Sequence, residues 1–271
     1  MKLELYRVKF NYARFRKLPE EEQLFAVQLA QIANDLRHVF YLALAAENGA
    51  HFGSPDERKL ALHQLLFAVR LIHSTFAEGW RIIDERWNRH ALGKTWFPRL
   101  SDEGRNALSY LGEYFGKENL SRTIQSEFGL PYSADPMWEP VRHLPTEPPA
   151  EIIMGKRTSN VFYTFAEQVR ALALLLAVRK PQARKVWDQK PSKKDIQAAA
   201  IELCHAYRPV RNAFDAFIND FVVSILQSLQ PKSERFSPRR TTRLAITKPV
   251  LFVEESGPSA NRPLIASTAK D

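Results

Sequence analysis

Four stretches of this chain, roughly residues 20–46, 56–91, 160–179 and 193–229, place an apolar residue at every third or fourth position with hardly a break. That period matches the turn of an α-helix and not the two-residue alternation of a strand. A chain patterned in this way over most of its length hides its apolar stripes by packing helix against helix. The pattern predicts an all-α fold: an up-down helical bundle with a long N-terminal antiparallel helical hairpin, an irregular proline-rich excursion and a flexible basic tail.

The punctuation agrees with that reading. Leu18-Pro19-Glu20-Glu21-Glu22 is a helix start, because proline is tolerated in the first turn and carboxylates favour the positive end of the helix dipole. Its stripe runs Phe25, Leu29, Ile32, Leu36, Val39 and Ala43, with an end expected near Asn48-Gly49. Ser54-Pro55-Asp56-Glu57 restarts a helix with the stripe Leu62, Leu65, Val69, Ile72, Phe76, Trp80, Ile83 and Trp87, and the short turn between the two predicts an antiparallel pair. Ser101 opens a shorter helix through Phe115, and another turn or two is expected over Asn119 to Phe128. Six prolines between Pro131 and Pro149 predict an irregular excursion. A helix returns with Phe162, Phe165, Val169, Leu172 and Leu176. The last one carries Ile196, Ala200, Leu203, Tyr207, Val210, Phe214, Phe217, Phe221 and Ile225, with Pro209 expected to kink it.

At 271 residues and 45% hydrophobic, the chain is long enough for one substantial core, expected over 18–230, with an arm at 1–17 and a mostly disordered tail at 231–271. The opening residues are charged throughout, so a short strand or an arm laid on the bundle is expected there and no signal peptide. The longest apolar run, Ala171 to Val178, is far below the roughly 20 residues of a membrane span. A cytoplasmic protein without a membrane partner is expected, and the single cysteine, Cys204, near the apolar stripe of the last helix, reads as an inert buried thiol. The formal net charge is +9, but its layout matters more than its sum. Residues 1–17 hold six Lys/Arg against Glu4, residues 179–194 hold seven against Asp188, and residues 231–271 hold eight against four carboxylates. The bundle between them is therefore acidic, and the basic charge belongs to arms and a linker.

Catalytic signatures are sparse. The seven histidines are scattered, none in a His-Glu-x-x-His pair, and one cysteine rules out a cysteine-rich zinc framework, so no metal is expected. Walker, dinucleotide and nucleophile-elbow motifs are absent, so no cofactor is expected. The di-iron pattern that helical bundles carry is not expected either. Asn34, Asp35 and Glu78 lie beside the apolar stripes, and facing solvent or capping is the expectation for them.

A helical bundle with basic appendages raises the HEPN-type ribonucleases, in which arginine and a histidine four to six residues later act on the 2′-hydroxyl and the phosphate, usually across a dimer interface. Arg58-Lys59-Leu60-Ala61-Leu62-His63 has that spacing, although about two such matches are expected by chance. Arg105-Asn106 and Arg211-Asn212 have the motif dipeptide without a following histidine. A longer likeness lies in Tyr114-Phe115, Asn119 and Ile124-Gln125-Ser126-Glu127-Phe128 through Pro131-Tyr132, with Asn34-Asp35-Leu36, Glu78-Gly79-Trp80 and Asn160-Val161-Phe162-Tyr163. These residues resemble an uncharacterised group of bacterial HEPN-like helical proteins over roughly residues 15 to 178. The resemblance implies a HEPN-like outline to the bundle.

The departures from that group set the functional expectation. Gln125 stands at the motif arginine, Ser126 at the motif asparagine and Pro131 at the motif histidine, while Phe128 and Tyr132 match. A neutral amide cannot replace a guanidinium at phosphate, and proline offers no base. The expectation is a non-catalytic HEPN-like protein acting through a protein partner or a homodimer, with auxiliary nucleic-acid binding. Its candidate contacts are Arg7, Lys9, Arg14, Arg16, Lys180, Arg184, Lys185, Lys193, Lys194, Arg239 and Arg240. In the N-terminal arm Tyr6, Phe10, Tyr12 and Phe15 interleave with the cations, the pairing that holds single strands without sequence preference, against the plainer reading of an arm that packs its rings on the bundle. The alternatives are a ribonuclease using Arg58 and His63, and a structural protein whose basic arms engage an acidic partner.

Overall fold

The computed structural model describes residues 5–52, 54–89, 92–128, 141, 153–154, 161–178, 193–229 and 232–236. These residues are predominantly α-helical. In chain order they form β1 (Leu5–Lys9), α1 (Tyr12–Phe15), α2 (Glu20–Phe52) and α3 (Pro55–Ile83). A π-helical turn at Asp84–Arg89 follows, then α4 (Leu92–Trp96), a 3₁₀ turn at Phe97–Arg99, α5 (Asp102–Phe115) and α6 (Leu120–Phe128). The remainder is β2 (Ile153–Met154), β3 (Val161–Phe162), α7 (Thr164–Val178), α8 (Lys193–Ser228) and β4 (Lys232–Phe236). The proline-rich excursion apart from Val141 and Ile153–Met154, the linker 179–192, and the tail from 237 onward lie outside the described residues.

The chain divides into two compact units, each drawn from separated segments. One comprises Met1–Tyr41, Leu71–Gln125 and Cys204–Ala245; the other comprises Leu42–Arg70, Ser126–Leu203 and Ile246–Asp271. Within the first unit Glu21 near the start of α2 pairs with Arg86 just beyond α3 at 2.7 Å. Within the second, a Cβ on Gly49 late in α2 would come within 3.1 Å of the Ala61 Cβ early in α3. Each contact matches an early residue of one helix with a late residue of the other, so α2 and α3 run antiparallel. The turn between them leads into a capping box, where Ser54 Oγ accepts from Glu57 N (3.3 Å) and Glu57 Oε2 accepts from Ser54 N (2.8 Å).

The core of the first unit is aromatic. Phe25, Phe76, Phe115, Phe214, Phe217 and Phe221 are each fully buried, and every such ring contributes roughly 1.5–3 kcal/mol by leaving water. Phe76 stacks on Phe214 (5.2 Å between centroids) and Trp80 on Phe115 (5.4 Å). The π-helical turn places Trp87 edge-on to Phe217 at 5.4 Å. The segment Pro55–Asn88 is long and apolar enough by composition to cross a membrane, but 61% of its apolar stretch is buried inside the fold.

Several expectations are corrected by the structure. α2 continues beyond Asn48-Gly49 to Phe52, because Gly49 is a close-packing position there and not a stop. Pro209 lies inside α8, which spans Lys193–Ser228, so the proline expected to bend this helix does not end it. Phe162 belongs to β3, which pairs antiparallel with β2, so the returning helix begins only at Thr164. The first residues of the expected disordered tail form β4, which pairs antiparallel with β1 from Leu5 opposite Phe236 to Lys9 opposite Lys232. Leu62, expected in the core stripe of α3, is 44% exposed, while His63 beside it is 6% exposed.

Candidate functional site

A HEPN-type centre needs its arginine and histidine to converge. Residues five apart on a helix stand about 140° apart around its axis. On α3 this leaves Arg58 exposed and His63 buried, so the structure does not bring the pair together. Burial and the neighbouring Lys59 cation both hold the His63 imidazole below its ordinary pKa, the environment of a neutral interior ring. In the degenerate motif, Gln125 is half-buried on α6 and Ser126 is exposed beside it. Pro131, Tyr132 and the Phe128 side chain lie outside the described residues.

Several of the residues compared with the HEPN-like group have structural roles within the first unit. Asn119 is the N-cap of α6: its Oδ1 accepts from Arg122 N at 3.0 Å. Phe115 and Ile124 are fully buried. A Cβ at Gly79 would come within 3.0 Å of Phe214 and 3.2 Å of Ile32, so Gly79 permits close helix approach. Leu36 is buried whereas Asn34 and Asp35 face solvent. Glu78 forms a surface ion pair with Arg81 at 2.6 Å, and that hydrogen bond holds its carboxyl below the usual range. The two Arg-Asn arginines are engaged as well. Arg105 donates to Leu100 O (2.7 Å) and Asp102 (2.6 Å), while Arg211 lies over the Phe40 ring at 3.6 Å and pairs with Asp215 at 3.3 Å.

A polar network that the sequence did not signal sits in this unit. His73 Nδ1 is 2.9 Å from Ser121 Oγ, and Tyr114 Oη is 3.2 Å from the same oxygen. The His–Ser distance suits a base and a nucleophile, but both residues are fully buried, so a substrate has no approach and the network is structural. The Glu-x-x-His spacing of di-iron bundles does occur, at Glu202 and His205; His205 is exposed, and the Glu202 side chain lies outside the described residues. Among the described residues no group of three His, Cys, Asp or Glu gathers as a metal site. In the second unit Leu66, Phe67, Arg70, Glu167 and Arg170 line a dent between α3 and α7 too shallow to enclose a small molecule.

Two exposed surfaces stand out among the described residues, both in the first unit. One is a stripe on α2 made of Leu24, Val27, Gln31, Asn34, His38 and Tyr41. Leu24 is 40% exposed, Val27 44% and Tyr41 61%. The 3-4-3-4-3 spacing is that of the a and d positions of a coiled coil, on the side of α2 away from Phe25, Leu29, Ile32 and Leu36. It was legible in the sequence but hidden by the more apolar core stripe.

The other surface is the N-terminal arm. Phe10 lies 5.6 Å from Tyr12 and 5.9 Å from Phe15, centroid to centroid. Lys9, Arg14, Arg16 and Lys17 around them are exposed. Arg14 donates to Leu229 O at 3.3 Å, and Asn11 caps α1 by accepting from Ala13 N at 2.7 Å. The other candidate contacts do not join this surface in the described residues. The side chains of Arg7, Lys193, Lys194 and Cys204 lie outside them, as do Lys180, Arg184, Lys185, Arg239 and Arg240.

No protein-family model, curated protein or solved structure matches this chain.

Proposed function

We propose that this is a non-catalytic helical module, HEPN-like in outline, that works by contact, and that its principal contact is with a second copy of itself through α2. The exposed heptad stripe supports that reading. It is self-complementary: about a two-fold axis between Gln31 and Asn34, an antiparallel copy sets Leu24 against Tyr41, Val27 against His38 and Gln31 against Asn34. Apolar pairs then lie toward the ends and two amide pairs at the centre, where polar residues fix register. The stripe spans about 26 Å at 1.5 Å per residue, enough for a modest interface. The exposed Arg58 and the buried His63 weigh against the ribonuclease alternative.

Light scattering across a concentration series tests the proposal. The wild type is expected at twice its 31.2 kDa chain mass at tens of micromolar, and Leu24→Glu/Val27→Glu at the monomer mass with an unchanged circular dichroism spectrum. A wild type that stays monomeric at the highest concentration discards self-association through this stripe.

A further inference from the structure

We propose that the arm Phe10–Lys17, held in place by the β1–β4 ribbon, is a binding site for single-stranded nucleic acid. Three observations converge on that ligand. The first is ring exposure. An aromatic residue that pins an arm to a bundle is buried, as Phe25 and Phe221 are, whereas Tyr12 is 71% exposed and Phe10 37%. The largely exposed Tyr12 ring is open to an unpaired base, which presents a π-surface to stack on.

The second is charge. Lys9, Arg14, Arg16 and Lys17 alternate in sequence with the aromatic residues and are exposed, and the first carboxylate of the chain after Glu4 is Glu20. No acidic side chain therefore interrupts the sequence from Tyr6 to Pro19. Cations beside stacking rings match the alternation of phosphate and base along a single strand.

The third is preorganisation. The arm is not a loose tail: β1 is paired through five residues with β4, Asn11 caps α1, and Arg14 ties it to the end of α8. The pairing also joins the two basic ends of the chain: in register, Lys9 is opposite Lys232 and Tyr6 opposite Arg235, with Glu234 opposite Arg7 as the one carboxylate of the paired strands. Binding to an arm already ordered costs less conformational entropy than ordering a free tail on the ligand.

Other ligands fit less well. A duplex hides its base faces, and an acidic peptide engages the cations but leaves the rings unused. An anionic bilayer needs a broad apolar face, while this arm exposes two rings on and beside a four-residue helix. The site lies on β1 and α1 and not on the α2 stripe, so it stands or falls independently of self-association.

The test is fluorescence anisotropy of the full-length protein with labelled single-stranded oligo-U and oligo-dT, beside a duplex of equal length and phosphatidylserine vesicles. Neutralising four phosphates gives a slope of about −2.8 in log affinity against log salt, about a fifty-fold loss between roughly 50 and 200 mM salt. Tyr12→Ala is expected to weaken binding about ten-fold and Tyr12→Phe to leave it unchanged, since stacking needs the ring and not the hydroxyl. Arg16→Glu/Lys17→Glu should weaken it further, with thermal melting confirming that each variant is folded. Single-strand binding that responds to both Tyr12→Ala and the charge reversal supports the site. Absent binding, binding indifferent to Tyr12→Ala, or a preference for duplex or vesicles overturns it.

Discussion

Asp220 on α8 reaches the start of α5, where its Oδ2 accepts from Ser101 N at 2.8 Å while Ser101 Oγ accepts from Gly104 N at 3.1 Å. Gly104 is buried against that carboxylate, and a Cβ there would stand 2.8 Å from Asp220 Cγ. Gly104→Ala therefore pushes Asp220 off its donor, and a loss of about 1–3 kcal/mol is expected in urea unfolding. The loss should be smaller when measured against an Asp220→Ala background, because the carboxylate clash is gone there and only the contact with Cβ of residue 220, at 3.0 Å, remains. His63 supplies a pH-dependent counterpart. Burial lowers its folded pKa below the ordinary 6.5, so in acid the unfolded chain binds a proton that the folded chain resists. Its contribution is intact above the unfolded pKa and is lost as pH falls from there toward the folded value. Urea midpoints of the wild type should drop between about pH 7 and 5, and His63→Gln should show a smaller drop. Residue order could not assign this role. Leu60, Ala61, Leu62, Leu65, Leu66, Phe67, Ala68 and Val69 are too continuously apolar to define one stripe, so periodicity put Leu62 and not His63 in the core stripe.

Elements were more legible than residues where punctuation and period agreed. α5 begins after its Ser101 cap as Ser-Asp-Glu indicated, and α8 buries Leu203, Tyr207, Val210, Phe214, Phe217, Phe221 and Ile225 along one face as their spacing required. The turn into α3 carries its own signal in Ser54 and Glu57, and both bonds of that box are exposed to solvent. Ser54→Ala is accordingly expected to cost about 1 kcal/mol by chemical denaturation, with no change in helix content. Short strands were the weak point. β2, β3 and β4 hold two to five residues each, too few to show an alternation, and their existence depends on a partner segment elsewhere in the chain.

Across the whole molecule, period, caps and charge are local properties of a chain, and the predominantly helical class, the antiparallel α2–α3 pair and the basic charge at the chain's ends followed from them directly. What those pieces do together came from tertiary packing. It covered His63 and left Arg58 exposed, gave Asn119, Gly79 and Phe115 packing and capping duties, and buried the His73–Ser121 pair. It also joined residues 5–9 to residues 232–236, at the other end of the chain, turning two basic segments into one ribbon. The physical reason is that exposure and long-range pairing are settled by which surfaces the rest of the fold covers. Leu24, Val27 and Tyr41 are as apolar in sequence as their neighbours, and only the packed fold leaves them facing water.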